Sequence, residues 1–130
     1  MIEFRIDSTS GVSPYRQLVH QVRQALLLGL VREGDQLPTV KEVVAKVAIN
    51  PNTVLKAYRE LEFEGLAEGR PGVGTFVTRS LADSSFAAHA ALRKDLRGWL
   101  TRARRAGLDD DSIAALFEST FRSGLSEGVA

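Results

Sequence analysis

Residues 39–65 read TVKEVVAKVAINPNTVLKAYRELEFEG, and they contain the pattern of two short helices. In the first, over residues 40–47, the valines recur at helical rather than alternating spacing, and Thr39 is placed to cap the helix. In the second, Asn50 is a good N-cap, Pro51 suits the first helical position, and Gly65 ends the helix. Two short helices joined by a turn of three residues form the helix-turn-helix pattern.

Hydrophobic spacing extends this pattern in both directions along the chain. Upstream, Ser13 and Pro14 open a helix whose apolar residues continue to Leu30, so we expect it to end near that residue. Downstream, residues 66–68 and 75–78 are two short β-prone runs on either side of a loop rich in Gly and Pro. This arrangement predicts a β-hairpin that forms the wing of a winged helix-turn-helix.

The C-terminal part of the chain is predicted to add two helices after a linker at residues 79–85. The first would span residues 86–106, and the second would begin at Asp109, Asp110 and Asp111, whose carboxylates favour a helix N-terminus. The predicted fold is therefore mainly α with a small β-hairpin. A winged helix-turn-helix domain occupies residues 1–79, and a two-helix segment occupies residues 80–130.

The composition excludes several classes of protein and of site. The chain of 130 residues can bury a core, and without cysteine it has no disulfide, thiolate zinc site or cysteine nucleophile. It contains no apolar stretch long enough to span a membrane, and its charged N-terminus is not a signal peptide. The two histidines, His20 and His89, have no partner at metal-ligand spacing. We therefore expect a cytoplasmic protein that has no cofactor or metal and is not an enzyme.

The net charge of +1 gives no general signal for nucleic acid, so the charge has to be considered locally. Residues 39–59 carry Lys41, Lys46, Lys56 and Arg59 against a single carboxylate, whereas residues 60–68 contain four glutamates. This division suggests one basic face on a domain that is close to neutral as a whole.

The start of the second helix of the pair carries the candidate base contacts. A helix that enters the major groove presents its N-terminal residues to the base edges, and here these are Asn50, Asn52 and Thr53. The asparagine amides can pair with adenine, and the threonine offers a hydroxyl and a methyl group for thymine. Lys56 lies one turn after Asn52, where it can reach either a guanine edge or a phosphate.

Four further residues are predicted to contact the DNA backbone or the minor groove. Thr39 and Lys41 would lie against phosphates at the start of the first helix of the pair, and Arg70 and Gly72 in the wing would approach a minor groove. Each of the eight candidates also has an ordinary explanation as a helix cap, a turn residue or solvated surface. Their ordered occurrence on one motif favours DNA binding.

The sequence resembles the GntR family of bacterial regulators over about residues 13–78. The motifs that carry the resemblance are GDQLPT at 34–39, INPNTV at 49–54, AYRELE at 57–62, GL at 65–66 and GVGTFV at 72–77. The NPNTV run and the short helical tail are similar to the YtrA-type subfamily, whose members lack a large effector-binding domain. The resemblance implies a winged helix-turn-helix that binds an operator as a dimer and usually represses. For the subfamily, it also implies a link to ABC transporter operons.

The sequence departs from the family at three positions that contact DNA. Lys41 stands where the family commonly has a phosphate-binding arginine, so the charge is kept and the bidentate fork is lost. Pro51 and Leu55 replace arginines, which removes guanine contacts made by other members. The resemblance therefore assigns base recognition here to asparagine, threonine and one lysine, and Arg70 and Gly72 match the wing pattern.

The two-helix tail is predicted to form a dimer interface. It is too short to enclose a sizeable ligand pocket, and paired half-sites require a two-fold dimer. The predicted interface residues are Leu92, Leu96, Trp99, Leu100, Ile113, Leu116, Phe117 and Phe121. The alternative is that these residues form a core within one chain.

Two other functions remain open at the level of sequence. One is an architectural DNA binder without sequence preference, and the other is a winged helix used for protein contact. The sequence does not indicate an effector, and it does not decide between repression and activation, because both begin with the same binding.

Overall fold

A computed structural model describes residues 2–82 and 89–128 of the chain. Over these residues it has five helices and one hairpin, in the order α1 (Pro14–Leu27), α2 (Val40–Val47), α3 (Pro51–Phe63), β1 (Ala67–Arg70), β2 (Gly74–Val77), α4 (Ala90–Arg105) and α5 (Asp110–Gly128). Backbone contacts divide the chain into two units, Met1–Ala88 and His89–Ala130. The predicted fold class, mainly α with a small β-hairpin, is confirmed.

Helix α1 begins at Pro14 as predicted, but it ends at Leu27 and not near Leu30. The N–H groups of Leu30 and Val31 both return to the carbonyl of Ala25, so the chain reverses direction there. Val31 is consequently 3% exposed, whereas Leu30 is 47% exposed. The apolar spacing continues beyond the end of the helix because Val31, in the turn that follows, packs into the core.

An extended N-terminal segment packs against α1. Phe4 is buried in the core, and two glutamines one turn apart on α1 hold the backbone of the residues that follow it. Gln21 accepts the Arg5 N–H at 2.9 Å and donates to the Arg5 carbonyl, and Gln17 makes the same pair of bonds with Asp7. These side chains take the place of a neighbouring strand, since they satisfy the backbone groups of the segment.

The predicted caps of the helix-turn-helix are confirmed. Thr39 accepts the Glu42 N–H at 3.1 Å while the Glu42 carboxylate accepts the Thr39 N–H, which is a capping box. Ala48 ends α2 with a left-handed backbone (φ 52°), and Asn50 caps α3. Side chains of α1, α2 and α3, chiefly valines and leucines, supply ten of the sixteen buried residues in the core of this unit.

The hairpin has a third backbone partner that the sequence did not indicate. β1 pairs with β2 in antiparallel register from Ala67 opposite Val77 to Arg70 opposite Gly74. β1 therefore continues two residues into the predicted loop, because Gly69 and Arg70 still find partners on β2. On the other edge of β2, Leu37 donates to the Thr75 carbonyl at 2.8 Å and Gln36 bridges Phe76.

The second unit is a pair of helices, α4 and α5. The predicted helix 86–106 is observed from Ala90 to Arg105, and residues 86–88 lie outside the described residues. Ala103 and Ile113 are buried between the helices, and the rings of Trp99 and Phe117 meet edge to face with centroids 6.5 Å apart. None of the helices in the described part of the chain is both long enough and apolar enough to cross a membrane.

Candidate nucleic-acid interface

A buried tyrosine fixes the position of α3 relative to α2. The Tyr58 hydroxyl donates to the Pro38 carbonyl, with 2.5 Å between the oxygens, next to the N-cap of α2. Burial raises the pKa of the Tyr58 phenol above its ordinary value, and the negative charge of Glu42 adds to this effect. The hydroxyl therefore keeps its proton, and the bond between the two helices persists across the physiological pH range.

The two asparagines at the start of α3 differ in which of their side-chain amide groups are free to bind a ligand. Asn50 Oδ1 accepts the Asn52 N–H at 2.8 Å, so the carbonyl end of Asn50 is used for capping while its NH₂ group remains exposed. The Asn52 side chain is exposed and has no partner in residues 2–82 or 89–128. Only Asn52 presents a complete amide, the donor and acceptor pair that matches the N6 and N7 atoms of adenine.

Thr53 lies on the side of α3 that turns toward the core and is half-buried. Its N–H donates to the Asn50 carbonyl at 2.9 Å in the first turn. Its hydroxyl and methyl group therefore reach the surface next to Asn52 with less freedom than an exposed side chain has.

Lys56 is held against α1. Its ammonium nitrogen lies 3.9 Å from the centre of the Tyr15 ring, a cation–π contact between the first turn of α1 and the second turn of α3. The Arg16 guanidinium lies 5.8 Å from the same ring. The result is a fixed positive charge where α1 meets α3, one turn from Asn52.

The N-terminus of α2 combines a used cap with a free cation. The Thr39 oxygen already accepts from Glu42, but the hydroxyl hydrogen can still be donated. The Glu42 carboxylate offsets part of the positive end of the helix dipole. Lys41 is exposed and supplies the full charge at this point.

The wing presents a cation beside a tight turn. The Arg70 guanidinium carbon lies 4.3 Å from the centre of the Phe76 ring, and one of its nitrogens lies 4.0 Å from a Glu68 carboxylate oxygen. The turn closes with a bond from the Val73 N–H to the Arg70 carbonyl at 3.0 Å, and Gly72 has a φ of 74° within it. Gly72 is therefore required by the turn, since other residues rarely adopt that conformation.

Arg59 is a cation of this surface that we did not select from the sequence. It is exposed and lies three residues after Lys56 and seven after Asn52, which places the three side chains on one face of α3. The sequence signal for Arg59 is its helical spacing from Lys56 and Asn52, and Arg59 lies within the AYRELE motif. At the other end of α3, Glu64 pairs with Arg23 of α1. The cations of α3 thus precede its carboxylates along the helix.

The candidate dimer residues of α4 and α5 fall into two groups. Ile113 is buried between the two helices, and Trp99 and Leu100 are half-buried. The other five, with 44% to 68% of each side chain exposed, are Leu92, Leu96, Leu116, Phe117 and Phe121. A shallow apolar groove of about 370 Å³ runs between Leu96, Trp99 and the α5 side chains. Such a face on a small unit is characteristic of a surface that binds another protein.

Asp109 caps α5, and Asp110 and Asp111 lie in its first turn. Asp109 accepts the Ser112 N–H at 2.8 Å, and α5 begins at the next residue, as predicted. Hydrogen bonds from the Ser112 side chain and N–H hold the pKa of Asp109 below its ordinary value. No group of three or more His, Cys, Asp or Glu side chains in the described ranges is arranged to hold a metal ion.

Comparisons with known proteins agree with this geometry. Residues 14–77 match the family described as bacterial regulatory proteins, gntR family. The transcriptional repressor YtrA of Bacillus subtilis (strain 168) is 34% identical over 110 residues, which cover 84% of this chain and 85% of that protein. These relatives are regulators and not enzymes, in agreement with the sequence prediction.

Solved structures show the same fold. A transcriptional antiterminator from Listeria monocytogenes EGD-e has a TM-score of 0.58 and 28% identity, and the match covers 92% of this chain and 90% of that one. The DNA-binding domain of AraR, solved with the operator ORX1, has a TM-score of 0.53 and 22% identity over 59% of this chain and 96% of its own.

Proposed function

Because this chain belongs to the GntR family of bacterial regulatory proteins, as its sequence predicts, we propose that it represses transcription by binding a palindromic operator as a homodimer. The observation that carries the proposal is the exposed and unpaired amide of Asn52 at the start of α3. In a helix-turn-helix, this is the part of the recognition helix that meets base edges in the major groove. A bacterial operator lies in the cytoplasm, which is therefore the proposed site of action.

Base recognition is assigned to the first turns of α3. The complete amide of Asn52 can form a bidentate pair with adenine, which contributes about 1–3 kcal/mol of discrimination against another base. Asn50 can donate from its NH₂ group while its oxygen caps the helix, and Thr53 can place its methyl group on a thymine. These are three adjacent contacts from one helix end.

Phosphate binding is assigned to the cations and the hydroxyl around this end. Lys41 and Thr39 lie at the start of α2, where N–H groups without intrahelical partners favour an anion. The Lys56 ammonium group is already held on the Tyr15 ring. This fixed position favours a contact with a phosphate over a contact with a guanine edge. Arg70 of the wing, with Gly72 leaving the turn open, can approach the minor groove. The AraR domain, which has the same fold, is bound to an operator.

Dimerisation is assigned to the apolar face of α4 and α5. Leu92, Leu96, Leu116, Phe117 and Phe121 expose more apolar surface than a two-helix unit would keep in water without a partner. A second copy that packs the same face against it forms a two-fold interface, as paired half-sites require. Ile113 contributes through the core between α4 and α5.

Repression and the regulated genes are proposed from the relatives. YtrA of Bacillus subtilis is a transcriptional repressor, and the match to this chain covers 85% of its length. An operator that overlaps a promoter allows the bound dimer to exclude RNA polymerase. The subfamily resemblance makes an ABC transporter operon the first set of genes to test.

The test of DNA binding uses the region upstream of the protein's own gene. In a gel-shift series at increasing salt, a specific regulator should retain selectivity for this DNA over a random duplex. An architectural binder would show no preference and a steep salt dependence, and a protein-contact module would produce no shift. Either of these two results contradicts the proposal.

Two alanine variants test the division between base and phosphate contacts. Asn52→Ala should bind the operator less tightly while its binding to random DNA stays close to wild type, because one base contact is lost. Lys41→Ala should weaken binding to both DNAs by the same factor, since a phosphate contact carries no sequence information. If both variants lose affinity equally on both DNAs, the assignment of Asn52 is wrong.

Mass in solution tests the dimer. The full chain should sediment as a dimer, and Phe121→Glu should convert it to a monomer because a charge enters the apolar face. Ser119→Glu, on the opposite side of α5, is the matched control and should remain a dimer. A monomeric wild-type chain at micromolar concentration contradicts the assignment of this face.

A further inference from the structure

Helix α4 has a concentration of positive charge that the helix-turn-helix does not explain. Between Ala90 and Arg105 there are six cationic side chains and one carboxylate, in a protein whose net charge is only +1. The cationic residues are Arg93, Lys94, Arg97, Arg102, Arg104 and Arg105.

The charge and the apolar residues occupy opposite faces of α4. Leu92, Leu96, Trp99, Leu100 and Ala103 recur at helical spacing and form the side that packs on α5. Lys94, Arg97, Thr101 and Arg105 recur with the same spacing on the other side. This cationic face of α4 covers three turns, about 16 Å along the helix axis.

Most of this charge is not neutralised within the unit. Arg104 is paired with Asp110 at 3.7 Å. Lys94, Arg97, Arg102 and Arg105 are exposed, and none of them forms an ion pair with a carboxylate of the described residues. Like charges that are this close on one helix repel each other, so the arrangement costs stability unless an anion is present.

A glycine lies in the middle of the cationic face. Gly98 is within the helix, where glycine is a poor helix former. A Cβ at this position would meet only the Arg102 Nη1 atom, at 3.6 Å, which is an ordinary contact. The fold therefore does not require glycine here, and the missing side chain leaves the helix backbone more accessible beside the cations.

We propose that the cationic face of α4 binds phosphates of the DNA duplex, in addition to the contacts made by the helix-turn-helix. This inference rests on the proposed function, since it assumes that the chain binds DNA. Five of the six cations are arginines, whose guanidinium groups match phosphate oxygens in bidentate geometry. Phosphates follow one another along the duplex, as the cations follow one another along three turns of α4.

A lipid surface fits the observations less well than DNA does. A helix that lies on a membrane inserts its apolar face into the lipid, and here that face packs on α5. Leu92 and Leu96 stay exposed on that face, and the proposed dimer interface covers them, which leaves the charged side of α4 available. The proposed DNA-binding unit is part of the same chain, so it supplies the duplex to α4 at a high effective concentration.

The test compares two pairs of arginines that carry the same charge. In the test variant, Arg97→Gln and Arg105→Gln are combined in the full chain. In the control variant, Arg32→Gln and Arg122→Gln remove the same net charge from the loop after α1 and from α5, where Arg122 pairs with Glu118. Circular dichroism and sedimentation confirm that both variants keep the fold and the oligomeric state of the wild type.

The readout is the slope of log K against log salt for a random-sequence duplex, measured by fluorescence anisotropy. Each lost phosphate contact should reduce the magnitude of the slope by about 0.9, so the loss of two contacts in each protomer of the dimer should reduce it by about 3.6. The control should keep the wild-type slope. Equal slopes for the test and control variants would overturn the proposal, because α4 would then contribute no phosphate contact.

Two further outcomes separate this inference from its premise. If the wild-type chain binds neither the random duplex nor its own upstream region, the proposed function fails and this inference fails with it. If the test variant keeps the wild-type slope on DNA but loses binding to vesicles that contain phosphatidylserine, the cationic face belongs to a membrane and the DNA assignment is overturned.

Discussion

Replacement of Tyr58 by phenylalanine should reduce the free energy of unfolding by about 1–1.5 kcal/mol near neutral pH. The substitution keeps the ring, which is buried among the helices, and removes only the hydroxyl that donates to Pro38. A buried hydrogen bond contributes about 0.5–1.5 kcal/mol, and a buried carbonyl that loses its partner costs about 1–3 kcal/mol. We expect a value where these two ranges overlap, because the substitution removes the hydrogen bond and leaves the Pro38 carbonyl without this donor.

The advantage of the tyrosine should disappear in alkaline solution. Unfolded tyrosine loses its proton near pH 10, whereas burial and the charge of Glu42 hold the pKa of Tyr58 higher in the folded state. Above pH 10 the unfolded state therefore binds fewer protons than the folded state, and stability falls as the pH rises. At about pH 11, ionisation stabilises the unfolded chain by about 1.4 kcal/mol. The phenylalanine variant lacks this ionisation, so the two proteins should then be almost equally stable.

The measurement is urea denaturation of the wild type and of Tyr58→Phe, followed by circular dichroism, at about pH 8 and about pH 11. Their difference cancels the titration of the groups that both proteins share. Tyr15→Phe is the matched control for the neutral-pH effect, because the Tyr15 hydroxyl has no hydrogen-bond partner in residues 2–82 or 89–128. The reasoning is refuted if Tyr58→Phe is as stable as the wild type at pH 8, or if the difference is the same at both pH values.

Three more substitutions test local features. Asn50→Ala should lower the free energy of unfolding by about 1 kcal/mol in urea denaturation, because the Asn52 N–H loses its cap. Asn50→Ser should keep the stability and lose only the amide contact with DNA. Equal stabilities of the two variants would contradict the cap. Ala48→Gly should raise the unfolding free energy by up to about 1 kcal/mol, because the left-handed backbone at the end of α2 strains alanine, and a lower value would show that the strain is absent. Gly98→Ala should improve the helix propensity of α4 by about 1 kcal/mol and so raise the melting temperature of the protein. The new methyl group would be in ordinary contact with Arg102. A lower melting temperature would indicate a packing role for the glycine.

The features of the helix-turn-helix that the sequence predicted are those set by near neighbours. Thr39, Asn50 and Pro14 act on residues within three positions, so their roles depend little on the rest of the fold. The apolar faces of α2 and α3 are equally local, because helical spacing alone defines them. The end of α1 depends on a reversal that brings Val31 back to Ala25, and for that reason spacing placed it too late.

The contacts that the sequence did not predict join residues that are far apart in the chain. Lys56 lies against Tyr15, and Gln36 pairs with Phe76. Neither contact has a pattern at short range, because packing in three dimensions brings the partners together. The candidate site residues are therefore placed by the structure, and their contacts with DNA stay predictions. The cationic residues of α4 follow one another in the sequence, but carboxylates elsewhere in the chain balance them, so the net charge of +1 gave no sign of this cluster.

Residues 34–37 extend the hairpin into a three-stranded edge, and they also form the connection between α1 and α2. The N–H groups of Gly34 and Leu37 donate to β2 at 2.8 Å, and Asp35 accepts the Val77 N–H at the same distance. These bonds hold the wing in place in the free protein, so DNA binding loses little conformational entropy in ordering it. Hydrogen exchange should be slow at Leu37 and Val77 even in the free protein. A substitution in the connection that breaks these bonds would tilt the wing and alter the affinity for DNA without removing a single contact to it.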